Sequence, residues 1–179
     1  MPVREQTTKT KMLVYTALMM ALIMVCTMAI RIPIPMTQGY VHLGDALVFL
    51  GVLLLGKKYG AAAAGIGAAM ADVLGGFAFW APFTLVFKAA MAYIAGAMIE
   101  RQTKIGKKMS LKSALPGMIT GGLVMTAGYF IVERFIYGSW AVAAIGIPWN
   151  IGQFAVGIMI ALASYASVGH YFTEMKENN

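Results

Sequence analysis

Six stretches of this chain are so poor in charge that they demand burial away from water. They run over about 12–30, 43–56, 60–79, 83–100, 113–132 and 147–171. Backbone in hydrocarbon must satisfy its own N–H and C=O groups, and a helix does so within one segment. A crossing needs roughly 20 residues. Most of the runs approach that length. The second is short, so it is tilted, begins nearer Tyr40, or sits partly inside a bundle. With 60% hydrophobic residues and a mean hydropathy of +0.75, a soluble core would account for one or two such runs but not six. The expected fold is an all-α membrane protein, a six-transmembrane-helix bundle forming one domain over residues 1–179.

The cations set the expected orientation. Arg4, Lys9 and Lys11 precede the first run, and Lys57 and Lys58 separate the second from the third. Arg101, Lys104, Lys107, Lys108 and Lys112 lie between the fourth and fifth, and Lys176 follows the sixth. Six alternating crossings bring all of these to one face and leave only Arg31 and Arg134 on the other. The positive-inside rule then makes the N and C termini cytoplasmic and the connections 31–42, 80–82 and 133–146 external. The net charge of +7 is thus topogenic, and no nucleic-acid partner is expected. The first run carries no small-residue cleavage pattern after it and is expected to remain as a helix. The single cysteine, Cys26, excludes an intramolecular disulfide.

The polar residues in the apolar runs and at their outer ends gather in or near the outer half: Tyr40, His42, Asp45, Asp72, Trp80, Lys88, Glu133, Arg134, Trp149, Asn150 and Gln153. Ionisable groups at membrane depth are costly and usually serve a site or a pair. Such a cluster reads as a pocket that captures a solute from outside. Asp72 and Lys88 lie at similar depth and are expected either to pair or to touch the solute. His42 and Asp45, three residues apart, share a helical face and either cap the second helix or contact the solute. Glu133 and Arg134 read as a solvated ion-pair rim. Trp149, Asn150 and Gln153 combine an aromatic face with amide donors and acceptors, which suits a flat ligand. The Ile32-Pro33-Ile34-Pro35 stretch stiffens the first outer connection into a structured lid.

Other motifs carry no chemistry. Gly51 to Lys58 approximates a phosphate-binding loop but lacks the terminal Ser or Thr and a preceding strand. His42 and His170 fall on opposite sides of the membrane, so neither a metal nor a cofactor site is expected. No nucleophile–base–orienter set can be drawn, which argues against an enzyme. The small residues from Gly60 to Ala71, and Gly117, Gly121 and Gly122, suit close helix packing. No internal repeat is evident, which weakens a self-sufficient transporter of the inverted-repeat type.

Ala17-Leu-Met-Met-Ala21 follows a basic N-terminus. The chain continues through Gly39-Tyr-Val-His-Leu-Gly-Asp-Ala-Leu-Val-Phe-Leu50, Ala71-Asp-Val-Leu-Gly-Gly76 and Ala81-Pro-Phe-Thr-Leu-Val-Phe-Lys88. With six spans and a proline-bearing outer loop, this resembles the substrate-binding S components of energy-coupling factor (ECF) vitamin transporters over nearly the whole chain. The 39–45 segment is most similar to the pyridoxine or hydroxymethylpyrimidine branch. The resemblance implies a multi-pass protein of a bacterial cell membrane that captures a small vitamin and docks on a transmembrane coupling subunit driven by two ATPase subunits. It assigns Ala17 and Ala21 to the docking surface. Tyr40, His42, Asp45, Asp72, Lys88, Trp149, Asn150 and Gln153 are the expected substrate-binding set. Cobalamin, pantothenate or riboflavin as the solute, a standalone permease, and an integral-membrane enzyme are the alternatives.

Overall fold

The computed structural model describes residues 3–37, 39–104 and 111–177. Lys107 and Lys108, and the side chains of Arg4, Lys104, His170 and Lys176, lie outside the described set. Among the described residues five long helices, α1 (Val3–Ala29), α2 (Gly44–Leu74), α3 (Ala81–Lys104), α4 (Leu111–Tyr137) and α5 (Trp140–Glu177), form a bundle, and a small hairpin of β1 (Arg31–Pro33) and β2 (Tyr40–His42) joins α1 to α2. All five helices are long and apolar enough to cross a membrane. α2 sits at the centre, against α1, α3 and α5, while α4 bridges α3 and α5.

The helices approach closely because small residues line their contacts. A Cβ on Gly65 would fall 2.8 Å from the Leu85 carbonyl oxygen, one on Gly67 2.7 Å from that of Met20, and one on Gly117 2.8 Å from that of Ala95. Backbones meet there, as the glycine and alanine spacing predicts. The core is built from Ile23, Val48, Phe49, Met91, Met118 and Met125, all fully buried. On α1 the buried positions Thr16, Met19, Ile23 and Thr27 form one narrow helical stripe, while Leu13, Val14, Leu18, Leu22 and Val25 are exposed. In water that outer face would be a large apolar liability, whereas lipid accommodates it.

The second and third expected helices differ from the expectation. They form one element, α2, broken at Gly56, whose φ of 79° and ψ of 179° are non-helical. Glycine tolerates such torsions because it has no Cβ. Residues eight apart on a straight helix are separated by about 12 Å, yet a Cβ on Gly60 would fall 2.9 Å from the Val52 Cα, so the chain turns back sharply at Gly56. Glu100 of α3 secures this joint. Its carboxylate accepts the Lys57 backbone N–H at 3.0 Å and pairs with the Lys57 ammonium at 2.9 Å, a negative charge placed at the start of the second half of α2. The helical run ends at Leu74 rather than 79, and Phe77 N–H donates back to the Asp72 carbonyl at 2.8 Å.

The stretch expected as an outer connection, 133–146, is also mostly helical. α4 runs on to Tyr137, and α5 begins at Trp140. Gly138, at φ 67°, takes the left-handed position that ends a helix, and its N–H donates to the Arg134 carbonyl at 3.0 Å. Ser139 Oγ then accepts the Val142 N–H at 3.4 Å, which caps α5. Two residues therefore replace the expected loop.

Candidate functional site

The lid expected from the proline repeat is the β1–β2 hairpin, with Arg31 opposite His42, Ile32 opposite Val41 and Pro33 opposite Tyr40. Arg31 fastens it to the bundle. The guanidinium donates to the carbonyls of Ala71 at 3.0 Å and Gly75 at 3.2 Å at the C-terminal end of α2, the Ala71 carbonyl also accepting the Gly75 N–H. It also lies over the rings of Tyr40 at 4.9 Å and Phe77 at 5.4 Å, favourable for a cation.

Beneath the hairpin lies a half-open cavity with about 470 Å³ of atom-free space, part of it continuous with solvent. The site is a narrow slot rather than a chamber. Its lining includes Tyr40, His42, Asp72, Lys88, Asn150 and Gln153 from the expected set, together with Ile34, Gly39, Trp80, Thr84, Tyr129 and Glu133. A wider recess on the hairpin side shares Gly39, Tyr40 and Trp80 with it, so these residues form the wall between the slot and its approach.

A buried polar chain underlies the slot. Lys88, 1% exposed, donates to Asp45 Oδ1 at 2.5 Å and lies 2.9 Å from the Met125 sulfur. Gln153 Nε2 donates to Asp45 Oδ2 at 2.8 Å, and Gln153 Oε1 accepts the His42 backbone N–H at 2.9 Å. The chain thus ties α2, α3 and α5 to the hairpin. His42 Nδ1 accepts the Gly44 N–H at 3.0 Å. Burial, reinforced by the Lys88 cation, pushes the His42 pKa down to about 3, so the ring is neutral. Tyr40 OH donates to Asp72 Oδ1 at 2.5 Å. Burial, followed by the Asp72 carboxylate, raises the phenol's pKa and keeps it a donor. Asn150 Nδ2 donates to the Gly146 carbonyl at 3.0 Å, which leaves its oxygen available to the slot.

Four expectations change. Asp72 and Lys88 do not pair: Asp72 holds Tyr40, and Lys88 holds Asp45. The local cap at α2 is made by the His42 ring on Gly44, while Asp45 is buried below the slot rather than lining it. Trp149 is 37% exposed and lies outside the slot lining, because the helical turn that points Asn150 and Gln153 inward carries its neighbour away. Glu133 is no solvated rim. It is 3% exposed and lines the slot, while Arg134 lies over the Trp140 ring at 5.2 Å. The sequence carried one unused clue: Met125, Tyr129 and Glu133 recur every four residues and so share one face of α4. Among the described residues no cluster of three or more His, Cys, Asp and Glu could hold a metal ion.

Over residues 7–168 the chain matches the family model described as ECF-type riboflavin transporter, S component. It is 32% identical over 152 residues to the thiamine precursor transporter HmpT of Lactococcus lactis subsp. cremoris, covering 84% of this chain and 83% of that one. It is also 41% identical over 114 residues to an uncharacterised protein of Pyrococcus woesei, across 64% of this chain and 72% of the other. Its fold is similar to that of the S component of a bacterial ECF transporter (TM-score 0.73, 21% identity, 91% of this chain and 98% of that chain). A likeness of the same kind joins it to the S component for biotin from an ECF-type ABC transporter (TM-score 0.70, 20% identity, 93% and 95%). With a family match across nearly its whole length, the chain belongs to the S components of ECF-type transporters.

Proposed function

We propose that this S component captures a thiamine precursor of the hydroxymethylpyrimidine type from outside the cell, with a pyridoxine-type solute as the nearest variant. The observation that carries the reading is the narrow slot, in which an aromatic wall and several hydrogen-bonding groups converge. A small heteroaromatic ring needs only a modest widening of such a slot, while cobalamin needs a far larger one. The similarity to a thiamine precursor transporter points the same way. Tyr40, His42, Asp72, Lys88, Asn150 and Gln153 contact the solute in this reading. Asp45 orients Lys88 and Gln153 from below, and Trp149 anchors the bundle at the membrane interface.

Delivery then proceeds through a transmembrane coupling subunit and two ATPase subunits. Ala17 and Ala21, exposed on α1 among Leu13, Leu18 and Leu22, supply a smooth face for the coupling subunit. We further infer six crossings of the cell membrane with both termini cytoplasmic. The turn at Gly56 supports this count by dividing α2 into two antiparallel halves. Lys9, Lys11, Lys57, Lys58, Arg101 and Lys112 then share the cytoplasmic end.

Native mass spectrometry of the purified chain, followed by calorimetric titration with hydroxymethylpyrimidine, tests the substrate. A stoichiometric adduct or saturable binding is expected. A riboflavin, pantothenate or cobalamin adduct would keep the family and replace the substrate. Uptake that persists in cells lacking the ATPase subunits would overturn the energised reading in favour of a standalone permease.

A further inference from the structure

Three polar atoms of slot-lining residues have no hydrogen-bond partner: Asp72 Oδ2, Glu133 Oε2 and Trp80 Nε1. Their side chains are all deeply buried, and burial without a partner is unfavourable for each of them. As carboxylates the two acids present acceptors, and the indole N–H donates. The nearby cations do not meet these atoms: Lys88 is paired with Asp45, Arg31 donates to three backbone carbonyls, and Arg134, whose Nε also lacks a partner, lies over the face of Trp140 outside the slot lining. The Glu133 carboxyl is seated between the hairpin and α5 where both present glycine. A Cβ on Gly146 would fall 2.7 Å from Oε2, and one on Gly39 3.8 Å from Oε1. Glycine at these two places lets the acid pack against backbone, yet no donor meets its Oε2.

We propose that this wall of the slot reads hydrogen-bond donors, with Glu133 as the residue that determines specificity. The solute presents an amino group to Glu133, a second N–H or O–H to Asp72, and an acceptor to the Trp80 indole. Its class is an amino-substituted nitrogen heteroaromatic, neutral or cationic and without phosphate. A phosphate ester brings further negative charge beside two carboxylates in a desolvated slot, and that repulsion excludes it. The proposal rests on the capture function above and narrows it to one donor pattern.

The test is calorimetric titration of the full chain in detergent against two series. One holds hydroxymethyl aminopyrimidine, its analogue with oxo in place of amino, and its phosphate ester. The other holds pyridoxamine, pyridoxine and pyridoxamine phosphate. The wild type is expected to prefer the amino compound of a series over both of its companions by about tenfold or more, because the lost donor leaves a buried acceptor unpaired. Glu133→Gln should remove most of the amino-over-oxo preference, and Trp80→Phe should weaken the amino compound less. A phosphate ester or an oxo compound that binds as tightly overturns the donor wall and leaves the capture reading standing. So does an unchanged preference in a Glu133→Gln protein that elutes and melts like wild type. If that variant does not fold, the wild-type series and Trp80→Phe decide. Preference for pyridoxamine with no pyrimidine binding upholds the donor wall and overturns the pyrimidine substrate. No binding to either series overturns both.

Discussion

Lys88 is tolerable in an apolar bundle because Asp45 and the Met125 sulfur take its ammonium, while Gln153 takes the second Asp45 oxygen. Breaking a buried pair by removing one partner typically costs about 3–5 kcal/mol, whereas replacing both by apolar residues of similar volume is often neutral. Lys88→Met should therefore lower the melting temperature in detergent sharply, and Lys88→Met with Asp45→Leu should recover most of the loss. A double variant no more stable than the single one would refute this account of the pair. His42 sets a pH dependence. Its pKa falls from 6.5 to about 3 in the fold, so the neutral ring is the form the structure favours. Its contribution to stability is fully present above pH 6.5 and is lost as the pH falls toward 3. Melting temperature measured across that window should decline in the wild type, and the decline should be shallower in His42→Asn. An identical slope in both proteins would remove His42 from the acid response. The sequence put Asp72 and Lys88 at similar depth and left open a pair or contact with the solute; both line the slot, but they do not pair. Depth follows from position along a helix, but pairing depends on how each helix is rotated about its axis. That rotation is set by neighbours the one-dimensional pattern does not name.

At the scale of elements, the joint at Gly56 is the most sensitive connection. Its φ of 79° is open to glycine and strained for any residue with a Cβ. Gly56→Ala should destabilise the protein by about 1–3 kcal/mol, read as a drop in melting temperature. A shift indistinguishable from that of Gly152→Ala, where a Cβ meets nothing within 4 Å, would count against strain at the joint. Composition placed a connection at Lys57 and Lys58, yet Gly56 alone makes the turn and helix resumes at once. The same compression occurs at Gly138-Ser139, where one left-handed glycine and one capping serine replace a long connection. This is why Glu133 was misread: α4 continues past it to Tyr137, so the acid stays on the Met125–Tyr129 face and turns into the slot. That the first outer connection is structured was legible, because prolines restrict the backbone. The cross-strand register was not, since it depends on where Arg31 and Gln153 anchor the two strands.

At the scale of the whole molecule, α1 buries a thin stripe and leaves its remaining apolar face, with Ala17 and Ala21, outside the bundle. A large side chain there should disturb a partner and not the slot. Ala17→Trp is expected to abolish ATP-driven uptake in cells while leaving calorimetric affinity unchanged. Normal uptake would refute the docking surface, and loss of binding as well would point to damage within the bundle. The sequence by itself determined that the chain is a helical membrane protein, where its apolar runs lie, which end carries the polar residues, and which family it resembles. Those properties follow from transfer free energies and local backbone preferences, which act residue by residue along the chain. Only the tertiary structure decided that Asp45 rather than Asp72 holds Lys88, that Glu133 enters the slot, and that Trp149 leaves it. Each of these depends on the azimuth of a helix, and azimuth is settled collectively, by where glycines let backbones meet and where buried polar atoms find partners.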